Sequence, residues 1–494
     1  MVFAEGKMKS KKLLATLLAV ALTLPMCACK PKSTDTTEDS SSESSAKHST
    51  ETTETETVAP TDSSTETEPS GEPTVPSLVT DEAEDPIVIY GYDKDFKNEL
   101  KEYLTDIEYE YVYVEPARYY QELKNAISEG EKKPDLFMMD ADHLYDFSHS
   151  DYSIGIEQVG ISHQDLADQF EYTYKAATDK DHAVKALAYD LAPTAVFYNR
   201  PIMDDYAGSP DPANVMPFVN EWDRFLDLAR EVNRASQSNI KLVADRSQIE
   251  KIYWAGHEGS WIEDGKVTIG PDFEQYLLLQ ETLSAEALTH ELPVGSEEWK
   301  QSISQGNTVM FYGSLETAAD VIGYVPGHTE KTEPEPTQET DATGQTVETT
   351  VPEVTGWSIV PAPNPSYDGG SWLMVASSCD RKATAAKILR ILTLDQTTLT
   401  AMAVKGRFVN SISIMEKCAK DPNFASDFLA GQNPYAILVA EAESIQIPDD
   451  PTTDKYARQE IDELLFSYLN GEIETIEEVK ELYIVGMEEL MGLS

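Results

Sequence analysis

The sequence predicts an α/β protein with mainly parallel sheets, divided between two lobes. Two observations carry the prediction. From residue 86 onward, short apolar strands alternate with amphipathic helices, the order that builds a parallel sheet covered on both faces. The 494-residue chain also leaves roughly 400 residues after its polar N-terminal stretch, enough for two domains with cores of their own.

The first strand is Pro86–Tyr90 (PIVIY), which ends in Gly91-Tyr92-Asp93. A helix follows over Lys94–Leu104, then the alternating segment Glu110–Val114 (EYVYV) as a second strand. Pro116 opens the next helix, which runs to Ser128, because its missing N–H costs nothing in a first turn. Leu136–Met139 (LFMM) is the third strand and ends in Asp140-Ala141-Asp142. Open sheets of this kind bind ligands beyond the carboxyl ends of their strands, which places Tyr92, Asp93, Asp140 and Asp142 at the expected binding edge. A further strand runs near Asp190–Asn199, and Asn220 is read as the cap of a helix with Trp222, Phe225, Leu226 and Leu228 on its apolar stripe. Beyond it come the segment Lys251–Ile262, a helix near Phe273–Ser284, a return strand Val309–Gly313 and a long apolar helix over Ala383–Val404. The last helix opens near Thr475 with a capping-box pattern, Thr475-Ile476-Glu477-Glu478.

The segment Lys185–Asp205 (KALAYDLAPTAVFYNRPIMDD) carries the most information. Ala188, Asp190, Ala195, Val196, Phe197, Tyr198, Asn199, Met203 and Asp205 fit a pattern of small, apolar and polar positions, while Tyr189 stands where an aliphatic residue is usual. The segment resembles the hinge-strand motif of family 1 extracellular solute-binding proteins, the ligand-capturing subunits of ABC importers, many of them for sugars. Trp299–Ser314 (WKQSISQGNTVMFYGS) resembles the family's helix, turn and return strand. GWSIVPAPNPSYDGGSWLMVAS resembles its proline-rich turn, glycine pair and strand. The resemblance spans residues 86–494 apart from an acidic insertion at 329–353. It implies a two-lobed periplasmic-binding-protein-like clamp whose hinge is crossed about three times. Residues 86–191 with 316–371 would form the first lobe, and 192–315 with 372–494 the second. It also implies a non-enzymatic receptor, without a cofactor, that holds a solute between its lobes, above all an oligosaccharide. As a monomer it would pass that solute to an ABC permease.

A sugar pocket needs aromatic faces against CH groups and planar polar side chains that donate and accept in fixed geometry. The clamp brings Tyr92, Asp93, Asp140 and Asp142 from the first lobe, and Tyr189 and Asp190 from the hinge strand. Trp254 and Trp261 come from the second lobe, and Tyr312, Gly370, Ser371 and Trp372 from the return crossings, with Arg407 as a further polar group. Trp261 follows the Gly-rich AGHEGS, and Trp372 follows Gly369-Gly370-Ser371, where small residues admit a ligand close to the backbone. Trp222 and Trp299 read as core, Tyr198 and Asn199 as structural, and Asp140 or Asp142 also suits a helix cap. Two alternatives stay open. One is a glycoside hydrolase using a pair from Asp93, Asp140 and Asp190; the other is a surface adhesin or sensor that keeps the clamp.

Lys7, Lys9, Lys11 and Lys12 precede an apolar run, Leu13–Met26, that is short for a bilayer span and reads as an export signal. LPMCAC follows and resembles the lipobox of bacterial lipoproteins, which implies lipidation at Cys29, with Cys27 the weaker candidate, and anchorage on the outer face of a Gram-positive-type membrane. Residues 30–85, rich in Ser, Thr, Glu and Pro, have too little apolar surface to offset chain entropy and read as a disordered tether after the signal of 1–29. The insertion 329–353 reads as disordered for the same reason. A formal charge of −50 excludes nucleic acid as a partner. Cys379 and Cys418 read as separate thiols, and no metal site is expected, since His143 and His149 lack the HExxH frame.

Overall fold

The computed structural model describes residues 79–82, 84–328, 356–448 and 450–493, together with the backbone of 339–340 and 346–347. The export signal, Cys27, Cys29 and most of the tether and insertion lie outside the described residues.

Strand β1 (Ile87–Gly91) pairs in parallel with β2 (Tyr109–Tyr113) and with β3 (Leu136–Asp140). Leu136, Phe137, Met138 and Met139 are all buried, as a strand covered on both faces requires. β4 (Ser153–Ile154) and β5 (Ala186–Asp190) complete this run. The chain then enters a second, smaller sheet through β6 (Ala195–Asn199). After a short hairpin, β7 (Ile262–Glu263) with β8 (Lys266–Val267), β9 (Met310–Gly313) pairs antiparallel with β6. Inside the acidic insertion β10 (Glu339–Thr340) pairs with β11 (Thr346–Val347), so that segment is not wholly irregular. β12 (Trp357–Val360) flanks β6 on its other side, and β13 (Ser371–Ala376) returns to the first sheet.

The first sheet orders β2-β1-β3-β13-β4, with β5 also paired to β13. Its parallel part is confined to β2-β1-β3, because β13 arrives from the other sheet and runs against β3, β4 and β5. The smaller sheet is antiparallel throughout, so the sheets are mixed rather than mainly parallel. The pairings also move one boundary of the sequence reading: residues 371–376 belong with β3, not with a second lobe starting at 372. Val309–Gly313 supplies β9 of the small sheet, and the chain reaches the first core beyond it at Leu315.

Two apolar cores lie on either side of the small sheet. Side chains alternate along a strand, so Ala195 and Phe197 of β6 join the first core while Val196 and Tyr198 join the second. β9 divides likewise, with Phe311 in the first and Met310 and Tyr312 in the second. The six-stranded sheet builds on the first core; the helices Trp222–Ala235, Pro271–Ala285, Pro451–Leu469 and Ile476–Leu490 pack on the second. The chain passes between the sheets at 191–194 and 361–370, and between the cores again after Ser444.

Helix ends follow local chemistry. Thr475 caps the last helix by accepting the Glu478 N–H at 3.2 Å, but the Glu478 carboxylate accepts from the Glu474 N–H at 3.1 Å, so only half of the expected capping box forms. Asn220 does not cap the Trp222 helix; it ends a preceding helix, Pro212–Asn220, which the proline at its first turn starts. The expected single helix over Ala383–Val404 is two, Lys382–Thr393 and Gln396–Val404, because Asp395 caps the second by accepting from Thr398 at 2.8 Å. Asp81, placed in the tether by its sequence, instead docks on the body. It accepts the N–H groups of Ala383 at 2.8 Å and Thr384 at 3.0 Å, capping Lys382–Thr393. Asp81→Ala is expected to lower stability by about 1 kcal/mol, read as a lower urea midpoint at unchanged slope. Cys379 and Cys418 are both buried and both free, as separate thiols.

Candidate functional site

β3 and β5 end at Asp140 and Asp190, and β13, running the other way, begins beside them. The register sets Ser371 opposite both Asp140 and Asp190. From the end of β1, the Tyr92 hydroxyl lies 3.1 Å from Ser371 Oγ. Burial raises the Tyr92 phenol against the Ser371 hydrogen bond, and the charges of Asp140, Asp93 and Asp190 raise it further. One Ser and one Tyr hydroxyl thus stand among three carboxylates along a single sheet edge. Gly370 makes the approach possible: its φ is 100°, and a Cβ there would stand 2.9 Å from the Asp190 carbonyl oxygen.

Asp140 is also a helix cap, as its position suggests. One oxygen accepts the His143 N–H at 3.0 Å and lies 2.8 Å from His143 Nδ1; the other accepts the Tyr120 hydroxyl. The Tyr120 and His143 rings stack at 3.5 Å, giving a flat aromatic pair beside the carboxylate. Asp142 stands in the first turn of the same helix, Ala141–Ser148, and is exposed.

Asp190 leads into a cavity of ≈420 Å³. Its walls come from the helix after β1 (Glu99), the passage between the sheets (Asp190, Pro193), the helix after β9 (Leu315, Glu316) and the turn at Arg407. The Arg407 guanidinium donates two parallel bonds to Glu99, at 2.8 and 2.6 Å, and its Nε lies 3.7 Å from Asp190. Its central carbon sits 4.5 Å from the centre of the Tyr189 ring. Burial pushes the Asp190 carboxyl up to about 6; Arg407 opposes that shift, and Glu316 and Glu99 add to it. Polar groups of the first sheet's edge, the helix after β9 and the Arg407 turn therefore converge beside the 191–194 passage, on the side of the first core.

A family model described as bacterial extracellular solute-binding protein matches residues 92–430. The chain belongs to that family. The fold agrees, being the two-lobed periplasmic-binding-protein-like architecture of solved relatives. A structure titled extracellular solute-binding protein family 1 superposes with a TM-score of 0.62 at 15% identity, covering 82% of this chain and 99% of that one. The sugar-binding protein MalE from Xanthomonas citri gives 0.60 at 15% identity, over 83% and 98%. The ABC transporter associated binding protein from B. animalis subsp. lactis Bl-04, in complex with β-1,6-galactobiose, gives 0.54 at 20%, over 82% and 98%. No curated protein sequence matches the chain.

In this solute-binding protein the four remaining aromatic candidates are not at the edge. Trp372 is 1% exposed, and its indole N–H donates to the Thr173 carbonyl at 3.0 Å, so the residue after Ser371 faces the first core. Trp261 is 4% exposed in the second core, bonded to Asp454 at 3.0 Å and stacked on His257 at 3.9 Å. Trp254 and Tyr312 are buried in that core as well. None of the four offers a free face to a sugar, which corrects the expectation drawn from the glycines before Trp261 and Trp372. Tyr189 is buried, its ring lying beneath the Arg407 guanidinium. Tyr120, His143, Glu99 and Glu316 escaped the sequence reading. His143 carried a signal, standing three residues after a strand-end aspartate that suits a cap; Glu99 and Glu316 reach the site only through tertiary packing.

Proposed function

We propose that this protein is the extracellular receptor of an ABC importer, anchored by a lipid on Cys29, which captures an oligosaccharide between its lobes and delivers it as a monomer to a permease. One observation carries the reading: Tyr92, Asp140, Asp190 and Ser371 converge on one sheet edge, beside a cavity whose other wall comes from the helix after β9. Carboxylates accept pairs of sugar hydroxyls, and Ser and Tyr hydroxyls both accept and donate. The saccharide held by the B. animalis relative supports the sugar class. Asp140 commits both oxygens to His143 and Tyr120, and Asp190 stands by Arg407, an arrangement for holding hydroxyls rather than moving protons. We therefore read the protein as no enzyme.

The passages at 191–194, 361–370 and after Ser444 serve as the hinge. Contacts between the Ala141–Ser148 and Pro451–Leu469 helices, Tyr145 with Thr452 and Asp146 with Lys455 at 3.9 Å, belong to the closed arrangement that ligand favours. Thermal unfolding against saccharides, amino acids, peptides and polyamines tests the reading. A saccharide at about a hundred times its Kd is expected to stabilise the protein by about 2.7 kcal/mol. A shift only with another ligand class would discard the carbohydrate, and release of reducing ends would overturn the non-enzymatic reading.

A further inference from the structure

We propose that residues 75–78 of the N-terminal chain lie in a groove along the Lys382–Thr393 helix and strap that chain to the first core. None of the site residues takes part, so the strap forms whatever solute the protein captures.

The groove, of ≈450 Å³, is lined by Ala383, Ala386, Lys387, Arg390, Ile391 and Leu394 and ends at Asp395. These positions recur three and four residues apart, which puts them on one face of the helix. The other face, with Ala385, Ile388, Leu389 and Leu392, is buried in the first core. Ile391 and Leu394 are only half-buried, so apolar surface stays uncovered along the stripe.

The N-terminal chain already leads there. Asp81 caps this helix through Ala383, the first residue of the stripe, and lies 3.4 Å from Arg381. The Glu82 N–H donates to the Asp380 carbonyl at 2.7 Å. Val79 is half-buried, and a Cβ on Gly160 would stand 3.5 Å from its side chain. The Gly160 carbonyl in turn accepts from Arg390 at 2.9 Å, in the middle of the stripe. The described chain thus reaches the groove's flank at Val79, and residues 75–78 come next. Val75 and Leu78 join Val79 there, whereas Val58 is the only other valine, leucine or isoleucine of residues 30–85. Pro76 has no N–H to satisfy and favours an extended backbone for itself and Val75. Extended, Val75 lies about 13 Å from Val79, and the helical stripe from Ala383 to Leu394 is about 16 Å long. Apolar run and apolar groove therefore match in place, length and chemistry. A strap of this kind ties down a terminus that would otherwise fray, and moves the start of the free leash from residue 85 back to residue 74.

Urea unfolding of the full chain tests the strap. Val75→Ser combined with Leu78→Ser is expected to lower the midpoint at unchanged slope, and Ile391→Ser to do the same. All three changes together should cost less than the sum, because either side already removes the contact. Thermolysin, which cuts before leucine and valine, gives a second reading. The Ser77–Leu78 bond should survive about tenfold longer in the parent than in Ile391→Ser, with cleavage at Thr57–Val58 equal in both. Strict additivity of the midpoint shifts overturns the strap, and so does equal cleavage at Ser77–Leu78 in the two proteins. A dimer in sedimentation that Ile391→Ser dissociates would assign the groove to a second copy of the chain and overturn it as well.

Discussion

Arg407→Met is expected to destabilise the folded protein by about 2–3 kcal/mol, one of the largest single effects at the site. The guanidinium holds Glu99 by two bonds and stands beside Asp190, and these three side chains are 21%, 25% and 32% exposed. Removing one partner of such a network strands the others as partly desolvated charges. Fully buried pairs lose about 3–5 kcal/mol in that way, and residual solvent screening reduces the figure here. The loss is specific to the unpaired acid, so adding Glu99→Gln to Arg407→Met should recover part of it. Urea unfolding of the two single variants and the double variant gives the coupling energy directly. Strict additivity would mean that the pair contributes nothing beyond its separate packing. Arg407→Lys should fall between, because lysine keeps the charge but not the planar fork that grips both Glu99 oxygens or stacks on Tyr189.

The same site shows which inferences a sequence can carry. Asp140 and Asp190 were legible because a strand's end follows from where its apolar run stops, and ligand edges follow from strand ends. Ser371 was legible for the mirrored reason, at a strand's start after a glycine pair. Trp372 was not. Whether it faces a cleft or a core depends on alternation against a partner strand, and its register opposite Met139 is fixed only once β13 has crossed back. The direction of β13 was hidden likewise, since an isolated apolar segment looks the same parallel or antiparallel. Trp261 fails on composition: a glycine-rich approach suits a loop into a cleft and a loop folded back on His257 equally well. The Arg407–Glu99 pair joins residues 308 positions apart, beyond the reach of any local pattern.

Stability is expected to peak in mildly acidic solution, and Glu441 to be a principal cause. Glu441 lies on the Tyr435–Ser444 helix at 5% exposure, and its Oε2 has no hydrogen-bond partner. Burial pushes its carboxyl from the usual 4.5 up to about 8, with the backbone N–H of Ala362 pulling only partly back. Between those values the folded protein keeps a proton that the unfolded chain has released. Stability therefore falls as pH rises through that window, by about 1.4 kcal/mol per unit from this group alone. Burial raises Glu250 and Asp462 in the same sense, and Asp190 acts alike up to about 6. Asp165 works in the opposite sense. Its bond to Arg390 holds it down to about 2, so its contribution is present above the ordinary carboxylate range and is lost as pH falls toward 2. The two sets leave a maximum between about pH 4 and 6. Glu441→Gln fixes the neutral form, so its Tm should exceed the parent's near pH 8 and the gap should close toward pH 5. Identical pH slopes for the two proteins would show that Glu441 keeps an ordinary acidity in the fold. The proton also bears on binding. Ala362 opens the 361–370 passage between the sheets, so ionising Glu441 loads charge onto a segment that the lobes must bend about. Ligand affinity should then decline over the same alkaline range in the parent and stay flat in Glu441→Gln, a difference that binding titrations at matched ionic strength would read directly.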